Sequence, residues 1–327
     1  MKNTYAQSAL MTEFELEFPI VQGPMGGVSG PALVAAVANA GALGILPVWS
    51  GSVASAQALI TQTQSLTTKS FGINIRADMV QVDHISAAID AGVSIIHLFW
   101  GSPAASMPAI NLASVRMIAT VADSDGACAA LDAGATALIA QGVEAGGHVL
   151  SDIPAQELLA SVLAVAGDTP VIAAGGCGNG YDGREFMNLG AAGILYGTRF
   201  AASRESEGHD DYKAALLEAV KGDTARSLCF DGAWPNAPHR ALVNSTFSAW
   251  YAAGSPSPGH RPGEGDIVLT TAAGRELPRY YVSTPQAGMT GDIRAAAMYA
   301  GTGVDRINDC LDAAQIVKRL SVEMATN

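Results

Sequence analysis

Residues 116–142 read RMIATVADSDGACAALDAGATALIAQG. An apolar run with β-branched residues (RMIATV, 116–121) gives way to polar residues. An alanine-rich helical pattern follows, and then a second apolar run (ALIAQG, 137–142). This order reads as strand, helix and parallel strand. The same unit recurs on either side. Upstream lie PIVQGP (19–24), LGILP (43–47), FGINI (71–75) and SIIHLFW (94–100); downstream lie PVIAAG (170–175) and GILYG (193–197). Helical patterns such as GPALVAAVANAGA, VDHISAAIDAG and GREFMNLGAAG separate them. Eight strand–helix repeats predict an α/β fold, a (β/α)8 TIM barrel, with an open doubly wound sheet as the alternative.

The alternation stops after Phe200. SRESEGHDDYKAALLEAVKGD reads as an exposed helix, and residues 255–266, rich in Pro and Gly, read as a mobile loop. LDAAQIVKRLSVEM is amphipathic and suits a last barrel helix. The expected division is a barrel over 1–204, a small cap inserted after strand 8 over 205–288, and a helical return to the barrel over 289–327.

Composition narrows the functional classes. The chain has 327 residues, 49% of them hydrophobic, enough for a large core, and a formal net charge of −12. That charge argues against nucleic acid or anionic lipid as a partner. No run of about 18 apolar residues predicts a membrane span, and MKNTYAQSALMTEFELEF lacks the apolar core of a secretory signal. Cys128, Cys177, Cys229 and Cys310 form no CxxC pair, which suits reduced thiols in a cytoplasmic protein. His209, His239 and His260 lack metal-site spacing, so no metal is expected.

In such a barrel the chemistry lies at the C-terminal strand ends. The first strand ends in GPMGG, where Gly26 and Gly27 leave room for a flat ligand. Strand 3 is expected to end at Asn74, whose amide donates and accepts. Strand 6 ends at Gln141 and runs into QGVEAGGHVL (141–150), a histidine behind bare backbone. Strand 7 ends in AAGGCGNG and strand 8 in YGTRF. Backbone N–H groups of Gly175, Gly176, Gly197 and Thr198, with the Thr198 hydroxyl, are expected to converge on a phosphate, the alternative being that these glycines only make tight βα turns. Neither a Rossmann GxGxxG nor a Walker A lysine is present.

PIVQGPMGG, FGINI, AQGVEAGGH, PVIAAGGCGNG and LGAAGILYGTRFAASRES, in that order over residues 19–206, resemble the FMN-dependent nitronate monooxygenase (2-nitropropane dioxygenase) family. The resemblance implies FMN across the barrel mouth, its phosphate in the cradle and its ring near Met25, Gly26, Asn74 and Gln141. Gly146 and Gly147 would permit its close approach, and the family's catalytic histidine maps onto His148. The implied reaction is oxidation of nitronates or nitroalkanes with O2 to a carbonyl compound and nitrite, with His148 as base or nitro-group partner. His97 and Glu144 are further pocket candidates. This sequence departs from the family pattern at Val149 and Leu150 after GGH, at Cys177, and at the bulky HLFWGSP. Those changes are expected to alter the pocket wall. Three rivals stand beside this reading: an NAD(P)H-dependent flavin reductase acting on quinones or enoyl thioesters, a tailoring flavin oxygenase, and a flavin-free barrel binding a phosphorylated ligand. Trp234, Trp250 and Tyr251 read as cap core, one of them a flavin roof in the alternative.

Overall fold

The computed structural model describes residues 8–79, 81–106 and 115–326. Eight parallel strands close into a barrel: β1 (Ile20–Gln22), β2 (Leu43–Pro47), β3 (Gly72–Arg76), β4 (Ile95–Phe99), β5 (Arg116–Val121), β6 (Ala137–Gln141), β7 (Val171–Ala174) and β8 (Gly193–Tyr196). β8 returns to β1, with Ile20 opposite Ile194 and Gln22 opposite Tyr196. Every apolar run expected to be a strand is one. Pro47 is accommodated because it stands last in β2, where a missing N–H interrupts no further ladder.

The runs are apolar at consecutive positions because both faces of a parallel barrel are covered. Along β6, Ala137 and Ile139 join Ile118 and Ile172 inside the barrel, whereas Leu138 and Ala140 pack in the layer beneath the helices. Helix Ala9–Phe14 sends Leu10 and Phe14 into the interior cluster and plugs the N-terminal end of the barrel. Gly193 is bare for that reason, since a Cβ there would lie 2.2 Å from Leu10. In the 116–142 unit, Asp123 accepts from Gly126 N and caps helix Ser124–Asp132.

After β8 the chain builds a cap. Thr224–Ser227 pairs with His239–Leu242, and Ile267–Thr270 pairs with Glu276–Pro278 and Thr290–Gly291. Helix Ala313–Ala325 then packs against helices Gly180–Asn188 and Pro31–Asn39 through Ile316, Val317, Leu320 and Met324. Among the described residues no helix is long and apolar enough to cross a membrane.

Two expectations change. Helix Asp210–Glu218 is not simply exposed, because it buries Tyr212, Ala215 and Leu216. The 255–266 segment is anchored rather than loose: Arg261 is 8% exposed and holds both oxygens of Asp231, at 2.7 and 2.8 Å. Pro and Gly remove regular hydrogen bonding there, but they do not remove a buried ion pair. Residues 1–7 and 327, the outer ends of the expected barrel and return segments, lie outside the described residues.

Candidate active site at the barrel mouth

A cavity of about 540 Å³ opens at the C-terminal strand ends beneath the cap. Its wall takes in Met25, Gly26, Asn74, Gln141, Gly146, Gly147, Gly175, Gly176, Gly197 and Thr198, together with His97 and His148. Glu144 is absent from that wall. Its Oε2 accepts from Ala155 N at 2.9 Å, which satisfies an N-terminal amide of helix Ala155–Ala166 and leaves no link to His148.

The β7 and β8 ends form a wall of backbone. Gly176 has φ +75°, where a side chain would be strained. Gly197 opens helix Thr198–Ala201 and is bare towards open space, for a Cβ there would meet nothing within 4 Å. Thr198 Oγ1 accepts from Gly301 N at 3.0 Å, so its own O–H remains to donate.

The GGH stretch is not a free turn. Gly147–His148 forms a short strand antiparallel to the cap, with His148 opposite His239 and Gly147 opposite Arg240. Arg240 clamps the preceding loop through two hydrogen bonds to Val143 O, at 3.2 and 2.9 Å. The two glycines therefore serve different ends. A Cβ on Gly146 would stand 2.4 Å from Gly301 N, so this residue admits the 300–303 segment. Gly147, at φ +75°, would meet nothing within 4 Å and is the one that leaves space. Val149 and Leu150 do not line the cavity. Val149 is fully buried and donates its N–H to Pro238 O, so this departure shapes the cap junction rather than the pocket wall.

Three histidines gather here, and their ring nitrogens separate their roles. His97, inside β4, accepts from Asn74 Nδ2 at Nδ1 (3.1 Å) and donates from Nε2 to Thr120 Oγ1 (2.8 Å). Burial pushes its pKa down to about 3, so it is a neutral bracket between β3 and β5. His239 donates from Nδ1 to Ala237 O and accepts at Nε2 from Phe230 N, each at 3.0 Å. Burial likewise brings it down to about 4. His148 alone has a buried ring nitrogen, Nε2, without a partner. Burial first, then His239 and Arg76, hold its pKa well below the usual 6.5, so it stands as a free base at neutral pH. Gln141 Oε1 is a second buried, unpartnered acceptor; the Gln141 amide nitrogen donates to His148 O at 3.2 Å.

Over His148 sits a roof that sequence reasoning did not assemble. Trp234 from the cap stacks on the imidazole, with centroids 3.9 Å apart, and Trp100 meets both rings edge-on. Trp49 lies 6.1 Å from Trp234, and Tyr299 lies 5.5 Å from His148. Arg76 places its guanidinium over Trp234, 3.3 Å from the ring centroid, while bonding Asp78. Of the aromatics singled out beforehand, Trp234 reaches the cavity, whereas Trp250 donates to Pro256 O and Tyr251 is exposed. The wall contains no Asp or Glu among the described residues. Its permanent charges are Arg76 and Arg275. Cys177 contributes a buried thiol whose pKa is pushed up, by burial first and then by Asp182. Among the described residues no group of three or more His, Cys, Asp or Glu could hold a metal ion.

Glycine backbone at the β7 and β8 ends and the imidazole of His148 thus line one cavity at the mouth of a (β/α)8 barrel. The family model for nitronate monooxygenase matches residues 7–90 and 80–323. The chain belongs to the nitronate monooxygenase family. It is 38% identical over 240 residues to a Rhodococcus jostii protein named (3aS,4S,5R,7aS)-5-hydroxy-7a-methyl-1-oxo-octahydro-1H-indene-4-carboxyl-CoA dehydrogenase. That match covers 72% of this chain and 65% of the relative, so the chain spans less than two thirds of that protein's length. It is 29% identical to a nitronate monooxygenase of Paraburkholderia phytofirmans, covering 99% of this chain and 97% of that one. Among solved structures, nitroalkane oxidase from Streptomyces ansochromogenes superposes with a TM-score of 0.77 at 27% identity, covering 97% of this chain and 98% of that one. FabK from Thermotoga maritima gives the same TM-score at 26% identity, covering 98% and 96%.

Proposed function

We propose that this protein is an FMN-dependent oxidase of nitronates and nitroalkanes, using O2 and releasing a carbonyl compound and nitrite. The observation that carries the reading is the division among the histidines: His97 and His239 have both ring nitrogens engaged, whereas His148, which lines the ligand-sized cavity, keeps a buried ring nitrogen without a partner.

The residues present fit the cofactor. Gly175, Gly176, Gly197 and Thr198 would hold its phosphate at two strand ends, where bare backbone leaves N–H groups accessible. Gln141 Oε1 needs a donor of the kind FMN carries, and the open space beside Gly147 leaves room for a flat group. FMN, when bound, supplies the redox step and passes electrons to O2.

The chain supplies the rest. The His148 imidazole accepts the α-proton of a neutral nitroalkane; its depressed pKa keeps it unprotonated beforehand, and proton transfer by a positioned base is worth ~10²–10⁴ in rate. A wall without carboxylates, carrying Arg76 and Arg275, suits the resulting anion. Cap and aromatic roof exclude water, which strengthens these interactions.

The 38% identity to a CoA-thioester dehydrogenase favours a second reading, oxidation or reduction of a thioester on the same scaffold. Anaerobic mixing separates the two. Decay of flavin absorbance with a nitronate, but not with an acyl-CoA or NAD(P)H, supports the first. Decay only with NAD(P)H or the thioester overturns it.

A further inference from the structure

Among the described residues no hydrogen bond is formed to the His148 ring, so its orientation comes from the rings around it. Trp234 lies on its face, with centroids 3.9 Å apart and planes 22° apart. Trp100 meets it edge-on at 5.9 Å. The Arg76 guanidinium, 3.3 Å from the Trp234 centroid, must cover the opposite indole face, since two groups that close cannot share one. Asp78 fixes Arg76 through both carboxylate oxygens, at 3.1 and 2.7 Å. The order is therefore cation, indole, imidazole.

The backbone is bent to make this stack. Trp100 has φ +60°, and Ala233, directly before Trp234, has φ +76°. Both are non-glycine residues in the left-handed region, a conformation that persists only where the surroundings enforce it. For Trp234 the enforcement is visible. Asp231 is gripped by buried Arg261, and Trp234 N donates to Asp231 O at 2.9 Å. Gly232 is bonded on both sides to the 280–282 segment.

We infer that Trp234 is a positioning residue for His148: the indole fixes the plane of the imidazole and closes one face to water, so that the base is aimed and neutral when substrate arrives. This rests on the reading of His148 as the base. Among the described residues the other groups facing that ring are Arg76 at the end of β3, with its partner Asp78 in the turn that follows, His239 from the cap, and the Tyr299 phenol, whose O–H is donated to Val282 O. None is a carboxylate in contact with the ring. Removal of the indole therefore acts through water access and loss of alignment.

The test is an NMR titration of histidine-labelled holoenzyme, with His148→Gln assigning the signal, in the wild type, Trp234→Ala and Trp234→Phe. Trp234→Ala is expected to raise the His148 midpoint by about one pH unit or more. It should also lower kcat/KM for a neutral nitroalkane at least ~10-fold, while a preformed nitronate, needing no proton removal, stays within ~3-fold. Trp234→Phe keeps a ring and should restore both properties to within about threefold of wild type. If Trp234→Ala does not fold, Trp234→Leu takes its place with the same expectation. An unmoved midpoint in a folded variant, or Phe as damaging as Ala, overturns the inference. Failure of the nitroalkane reading shows differently, as no turnover in wild type, and leaves the titration to decide the role of Trp234.

Discussion

The two sides of the cavity are built by opposite means. On the β7–β8 side the wall is backbone: Gly175 and Gly176 line it in conformations that side chains disfavour, and Gly197 faces open space. On the side of β2, β3, β4 and the cap it is side chain upon side chain, Trp49, Arg76, Trp100, Trp234 and His148 in mutual contact. A backbone wall suits a constant, charged group such as a phosphate. A side-chain wall sets acidity, water access and substrate shape.

Four perturbations sharpen this contrast. The largest effect should come from Gly197→Asp. Its Cβ meets nothing within 4 Å and its φ of −95° is ordinary, so the fold tolerates it while a carboxylate enters the cradle. Like-charge juxtaposition costs several kcal/mol, so FMN affinity should fall at least ~100-fold, measured by flavin release on ultrafiltration. Gly176 is a poorer position for this test, because φ +75° adds backbone strain of its own. On the other wall, His148→Ala should keep FMN yet slow oxidation of neutral nitroalkanes by ~10² or more, with preformed nitronates affected much less. Equal losses for both substrates in steady-state assays would remove His148 from the base role.

Next in size is Arg261→Ala, which leaves Asp231 buried without its cation and unpins the Trp234 loop. Breaking a buried pair costs about 3–5 kcal/mol, read as a lower denaturation midpoint, and Trp234 emission should shift to that of a wetter indole. The smallest change belongs to Glu144→Ala. It removes only an acceptor for the Ala155 amide, about 1 kcal/mol of stability, and turnover should stay within a few-fold. A loss as large as that of His148→Ala would restore a catalytic part to Glu144.

Acidity gives an independent check. Burial pushes His97 down to about 3 and His239 down to about 4, against the usual 6.5. Between those values and 6.5 the unfolded chain binds protons that the folded one refuses, so stability is full above pH 6.5 and falls as pH drops towards 4 and then 3. Thermal melts at pH 7, 5.5 and 4.5 should descend in that order.

How much of this was legible follows the same division. The barrel was readable because a parallel strand covered on both faces leaves a continuous apolar run, and eight such runs are hard to mistake. The glycine-lined wall at the β7 and β8 ends was readable because bare backbone is written as glycine at strand ends. The roof was not. Trp234 is about 130 residues from Trp100 in sequence, and nothing local marks Arg76 as the cap of an indole. Within GGH, the two glycines look alike in sequence, yet one admits the 300–303 segment and the other faces open space. Ala233 and Trp100 carry left-handed backbone without a glycine to announce it.

The central claim is that a flavin held by the backbone wall is served by the single free base of the side-chain wall. It is tested most directly by anaerobic single-turnover mixing of the FMN-loaded protein with a neutral nitroalkane and with its nitronate, wild type against His148→Ala. The expected result is rapid loss of flavin absorbance with both substrates in wild type, and with the nitronate alone at comparable speed in the variant. Flavin that stays oxidised with the nitronate in wild type, or a variant that handles the neutral nitroalkane at the wild-type rate, would contradict it.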